Sequence, residues 1–201
     1  MTLWHVALLA CILAIFDVAL YSALSYSLRS EVDRNITARA EEVSRAISEV
    51  LAARADPRTF FLQGRIVLPH IDVFASPGIY VQVLTSNGQL ITKSGNLGEQ
   101  RLPLSATDFD TVSQGAPLSP KTILVERVSL RVTSAPIKLG EFTIGIVQVG
   151  RSLQEMEGTL SRLGLLLVSG SLLGLLIATG VGSFLARRAL SPIDTVTRTA
   201  R

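Results

Sequence analysis

Leu163–Ala186, LGLLLVSGSLLGLLIATGVGSFLA, runs for 24 residues without a charged side chain. At about 1.5 Å per residue, a helix of this length covers a hydrocarbon core of about 30 Å. Nearer the other end, a second apolar run, Leu3–Leu28, is interrupted only by Asp17. Of the 35 charged side chains, 34 lie outside these two windows. The chain reads as an integral membrane protein with two crossings. That accounts for a mean hydropathy of +0.42 and an apolar content of 48%.

The chain divides into four segments: 1–28, a first membrane helix with a short N-terminus; 29–162, an intervening domain; 163–186, the second membrane helix; and 187–201, a basic tail. The 134 residues of the intervening segment suffice for one core, and they carry 15 basic against 14 acidic residues. The tail holds Arg187, Arg188, Arg198 and Arg201 against Asp194, so the pI near 9.4 reflects a juxtamembrane cluster. That distribution speaks against a nucleic-acid surface. Cys11 is the single cysteine, which excludes an intramolecular disulfide. Met1-Thr2 supplies no basic side chain ahead of the first span, and Ser25-Tyr26-Ser27 is a poor cleavage site. The first span therefore reads as an anchor and not as a cleaved signal. Loops longer than about 60 residues translocate largely regardless of charge, which places the intervening domain outside and both termini inside.

From Glu31 the pattern is helical. Val32, Ile36, Ala40, Val43, Ile47, Val50 and Arg54 form one stripe, with no Pro or Gly between it and the first span. A continuous helix from membrane into domain is expected, ending at Asp56-Pro57. Its stripe packs on its own domain, or packs there and adds a seam against a second copy of the chain. The rest reads as β. Gly78–Leu84 and Gln89–Lys93 flank an Asn87-Gly88 hairpin signal, and Asn96–Pro120 reads as loop with at most one short helix. Thr122–Arg127, Val128–Ala135 and Glu141–Val149 are three further strands. This order predicts an α+β domain, an antiparallel sheet with a long N-terminal helix on one face.

Catalytic motifs are missing: no P-loop, HExxH, paired Cys or GxSxG occurs, and His70 is a lone imidazole with no partners for a metal. Three other features stand out. Gly170, Gly174, Ala178, Gly182 and Ala186 recur at i+4, a small-residue stripe that marks a packing face or the ordinary abundance of glycine in membrane helices. Asp17 inside a span is costly. It either faces the bundle, hydrogen-bonded to Ser169 or Ser171, or reaches back to the interface. Tyr80 and Gln82 share one face of their strand, as do Ser129, Arg131 and Thr133 of theirs; such a face lines a ligand cavity or meets solvent.

The tail RRALSPIDTVTRTAR places Ala189, Ile193, Val196 and Ala200 at heptad-like spacing, with Pro192 early in the pattern, which stops at Arg201 as a truncated segment would. Pro192 disfavours helix at Ser191, so a break or kink is expected there. This tail resembles the opening of a HAMP signal-relay helix. FASPGIYVQVLTSNGQLITKS (Phe74–Ser94), SLRVTSAPIK and GIVQVGRSLQEME resemble an extracytoplasmic sensor domain of the PAS-like (PDC, Cache-related) kind. Together they resemble the N-terminal half of a bacterial two-component sensor histidine kinase. The resemblance implies a homodimer in the bacterial inner membrane, in contact with lipid, that detects an extracytoplasmic stimulus. It also implies a phosphorelay to a response regulator through a kinase part that these residues do not include. No cofactor is expected in this chain, and ATP and Mg belong to that kinase part. A chemoreceptor, a HAMP-linked nucleotide cyclase or a membrane-tethered binding protein would share the same input layout.

Overall fold

The computed structural model describes residues 2–53, 78–125 and 128–198. Its elements are α1 (Thr2–Ala52), β1 (Ile79–Thr85), β2 (Leu90–Lys93), a 3-10 turn (Gly95–Leu97) and α2 (Ala106–Ser113). They continue with β3 (Lys121–Val125), β4 (Val128–Leu139), β5 (Phe142–Ser152) and α3 (Gln154–Arg198). The fold is α+β, with two long apolar helices and a five-stranded antiparallel sheet. Two compact units result, Leu28–Glu155, and Met1–Ser27 with Met156–Arg201.

In the sheet unit the strand order is β2-β1-β5-β4-β3, every neighbouring pair antiparallel. The Asn87-Gly88 signal makes the first hairpin. Gly88 takes the positive φ of 78° that L side chains avoid, and the Thr85 hydroxyl accepts from the N–H groups of Asn87 (3.2 Å) and Gln89 (3.0 Å). β4 runs to Leu139, four residues beyond the expected Ala135, and so contains Pro136. The ring is tolerated because β3 pairs only with Val128–Val132. Pro136, in phase with Ser134 whose carbonyl accepts from Leu118 N–H (2.9 Å), turns its missing donor to that same, locally strand-free edge.

Directly paired residues share a sheet face. Tyr80, Gly150 and Val132 therefore lie on one side, with Gln82, Gln148 and Ser134. Val81, Val149 and Thr133 lie on the other, with Val83, Val147 and Ala135. α1 covers this second face. Arg131 reaches Asp33 from it, and Ser44 Oγ donates to the Pro136 carbonyl at 2.6 Å. From Asp33 to Ser44 a helix advances about 16 Å, and from Arg131 to Pro136 a strand advances about the same. α1 therefore runs parallel to β4. Val32, Ile36, Ala40, Val43, Ile47 and Leu51 are buried beneath it. Leu51 replaces the expected Val50, which is half-buried, because the 3.6-residue period drifts along the stripe. Arg54 and the Asp56-Pro57 terminus, like His70, lie outside the described residues. The stripe is buried within a single chain, so its own sheet is what it packs against.

The first sheet face is covered by the segment between β2 and β3. Leu97 and Leu102 pack with Leu130 and Val132, and Val112 with Leu84 and Ile146. Gly150 permits the close approach: a Cβ there would stand 3.2 Å from Val132 and 3.3 Å from Leu102.

In the helix unit, the N-terminal part of α1 and the body of α3 are antiparallel. Asp17 meets Ser171, and Tyr21 lies against Gly164. Both helices are long and apolar enough to cross a membrane. Their outward faces expose Ile12, Ile15, Phe16 and Val18, and Leu165, Leu166, Leu172, Leu173, Leu176 and Ile177. Contiguous apolar surface of that extent is rare on proteins solvated by water. α3 stays helical through Ser191 and Pro192 to Arg198, so of the break or kink expected at that proline, the break does not occur. A helix-interior proline costs about 3 kcal/mol. The structure carries α3 through it without a change of element.

Candidate functional site

A cleft of about 500 Å³ opens on the sheet face opposite α1. Its floor is Tyr80, Leu130 and Leu97, one wall is Val125 and Val128, and its rim is Asn96, Gly98, Glu99 and Gln100. The rim is positioned by a polar graft onto the outer edge of β1, where β2 ends. Ser94 N–H donates to the Val81 carbonyl (2.8 Å), and Ser94 Oγ accepts from Val81 N–H (3.0 Å). Ser94 Oγ also donates to Asn96 Oδ1 (2.6 Å), while Asn96 Nδ2 donates to the Ile79 carbonyl (2.7 Å). Lys93 Nζ holds the Gln100 carbonyl at 3.2 Å. An apolar floor with a few directional polar groups suits a small molecule with an apolar body. Among the described residues of the lining, Glu99 is the one formally charged side chain, and it is exposed at the rim.

Of the five ligand candidates, Tyr80 lines this cleft. Gln82 is on the same face but buried and fully engaged. Its Nε2 donates to Gln148 Oε1 (2.9 Å) and the Leu102 carbonyl (3.1 Å), and its Oε1 accepts from Leu102 N–H (3.1 Å). Gln148 Nε2 donates to the Pro103 carbonyl at 3.4 Å. The two glutamines clamp the covering segment to the sheet. Ser129, Arg131 and Thr133 are on the opposite face. Thr133 is buried and donates to the Leu118 carbonyl (2.6 Å). The Arg131 guanidinium forks onto Asp33 (Nε to Oδ1 2.6 Å, Nη2 to Oδ2 2.8 Å) and donates to Thr122 Oγ1 at 3.0 Å. The hydrogen bonds to Asp33 raise its pKa against the opposing effect of partial burial, so it stays charged. It is a tie between helix and sheet.

Asn96, Leu97, Glu99 and Gln100 lie in the segment that reads from sequence as loop with at most one short helix, where no local pattern marks them as site residues. Sequence reading also passed over Gln148. Two matching triplets, Val81-Gln82-Val83 and Val147-Gln148-Val149, were the available signal. A lone glutamine inside each of two apolar strands calls for a partner.

In the helix unit, Ser171 Oγ donates to Asp17 Oδ2 at 2.7 Å, and both residues are half-buried. Ser169, the other candidate, turns away and donates to the Leu166 carbonyl (3.2 Å). Gly174, Ala178 and Gly182 lie on the half-buried face of α3, whereas Gly170 is exposed. A Cβ added at Gly170, Gly174 or Gly182 meets no atom within 4 Å, so the stripe is not a close-approach surface between these two helices. For Ala189, Pro192, Ile193 and Val196 the backbone is helical, but their side chains, like the whole of Ala200, lie outside the described part of the structure. No group of metal-ligating residues occurs among the described residues. A scan against models of known protein families finds no match to this chain, and a search of curated proteins finds none either.

Proposed function

We propose that this chain is the input region of a bacterial membrane sensor histidine kinase. In this reading, a PAS-like (PDC, Cache-related) outer domain takes up a small extracytoplasmic molecule in its cleft. A HAMP helix starting after the second span hands the change to a cytoplasmic kinase part, which alone would use ATP and Mg and face a response regulator. The chain works as a homodimer, with both termini cytoplasmic.

One observation carries the reading: the sheet that floors the cleft rests its other face on α1, and its central strand β5 leads within a few residues into α3. α1 holds the buried stripe of the sheet unit and an apolar span in one uninterrupted helix. Gly150, paired with Tyr80 and Val132 beneath the cleft, precedes α3 by only Arg151, Ser152 and Leu153. That junction is pinned on both sides, by Ser152 N–H to the Gly78 carbonyl and Leu153 N–H to the Ser129 carbonyl, each 2.9 Å. A ligand that spreads β1 from β4 displaces the root of α3. A span rooted so can be tilted or pushed between two arrangements a few kcal/mol apart.

The test joins the chain at Arg201 to the remainder of a HAMP-bearing histidine kinase. One residue inserted between Leu190 and Ser191 rotates the downstream helix by about 100°. It should lock or invert phosphorylation output, whereas a seven-residue insertion should keep the parental level. Output indifferent to the inserted phase overturns the reading.

A further inference from the structure

Two kinds of hydroxyl bond occur in the helix unit. Ser22, Ser169 and Thr179 each donate to a carbonyl of their own helix, three or four residues back, and do nothing between helices. Ser171 instead reaches across, to Asp17. Its neighbours one turn away on that face are Leu167, Val168, Gly174 and Leu175, and two turns away Gly164 and Ala178. None carries a donor. At about 100° per residue, Ser169 and Thr179 are about 200° and 80° off the axis through Ser171, so rotation does not substitute for it.

We propose that Asp17 and Ser171 form a register latch, a single discrete stop for the sliding and rotation of α3 along α1. A slide of one turn, about 5.4 Å, leaves the Asp17 oxygen facing aliphatic carbon with no donor in reach. The apolar remainder of the interface supplies no comparable preference. Its glycines meet open space at Gly174 and Gly182, and without water to expel, lipid and helix compete equally for leucine. The Asp17–Ser171 bond supplies a preference for one register. In the sensor reading, on which only this last clause rests, the latched register is one of the two signalling states.

The experiment reads register directly, in membranes and on the full chain, with Cys11→Ser as background. Tyr21→Cys is paired with Gly164→Cys, which reports the present register, or with Val168→Cys, which reports a slide of one turn. The ratio of disulfide formed by the two pairs is the measurement. It should favour the Gly164 pair with Ser171 or Ser171→Thr, and fall about threefold with Ser171→Ala, the ratio for a typical interhelical hydrogen bond in lipid. With the donor moved one turn, Ser171→Ala with Leu175→Ser, it should reverse toward the Val168 pair. The Ser171→Thr control separates loss of the bond from loss of the fold. A ratio unchanged by removing and by moving the donor overturns the latch, whatever the kinase output does. A ratio that moves while output stays fixed supports the latch and counts against the sensor reading alone.

Discussion

Ile36, Ile47, Ile137 and Ile146 are almost wholly hidden in the sheet unit, whereas Ile12, Ile15 and Ile177 in the helix pair are 54%, 65% and 57% exposed. The same side chain is put to opposite uses. In the sheet unit water drives the isoleucines inward, and every buried polar group must then find a partner. Gln82, Gln148, Ser94 and Thr133 do so; Ser113 Oγ is the one exception among the described residues. The helix pair turns its isoleucines outward, as a lipid solvent allows. There a side chain to side chain bond, that of Asp17 with Ser171, joins the two helices. One unit is specified by many contacts, the other by few.

The largest test of that contrast removes the same atoms from each unit. Ile36→Ala deletes a fully buried side chain beneath α1 and should cost about 2–5 kcal/mol of sheet-unit stability. Ile15→Ala trims an exposed one and should leave the unfolding midpoint unchanged within error. Both are read by urea unfolding of the chain in detergent micelles. Equal losses would mean that the two units unfold as one body, and the contrast would fall.

A smaller effect is expected from the polar pairs. Gln82→Leu leaves Gln148 Oε1 and both the N–H and carbonyl of Leu102 without their partner. It should cost about 1–3 kcal/mol and loosen the covering segment, seen as faster amide exchange at Leu102. Ser171→Ala, by contrast, should cost about 0.6 kcal/mol in the helix pair, because the separated helices find other partners. A Ser171 penalty as large as that of Gln82 would show that a hydrogen bond contributes alike in the two environments.

What could be read from residues alone depends on the range of the interaction. The stripe Val32 to Ile47, the Asn87-Gly88 hairpin and the alternation within each strand are set by neighbours a few residues away, and each is where its periodicity puts it. Which faces of β1 and β4 coincide depends on β5, which lies between them in the sheet but after both in sequence. Tyr80 and Arg131 therefore could not be assigned to opposite faces by local pattern. Gln82 looked like a ligand because it is polar in an apolar strand. Its partners are 20 and 66 residues away. The opposite case is Pro192, where the break that a sound local rule allows gives way to a helix of 45 residues.

The smallest expected effect is electrostatic and sits at the start of α2. Ser105 caps this helix, accepting from Asp108 N–H (3.2 Å) and donating to the Asp108 carboxylate (2.6 Å), while Lys121 at the start of β3 pairs with the same carboxylate. Lys121 first, and Ser105 second, hold the Asp108 pKa below the ordinary carboxylate range. Because the folded value is the lower one, the unfolded chain binds the extra proton in acid. The contribution is complete above the ordinary carboxylate pKa and is lost as pH falls through the folded value. Lys121 is half exposed, so solvent screens the pair and its worth at neutral pH is about 0.2–1 kcal/mol. Asp108→Asn should therefore lower the urea midpoint of the sheet unit slightly at pH 7, and the difference from the parent should shrink as pH falls below the ordinary carboxylate range. High salt should shrink the neutral-pH difference as well. A difference of the same size at neutral and at acid pH would assign the effect to the Ser105 cap alone, with no share for the charge pair between α2 and β3.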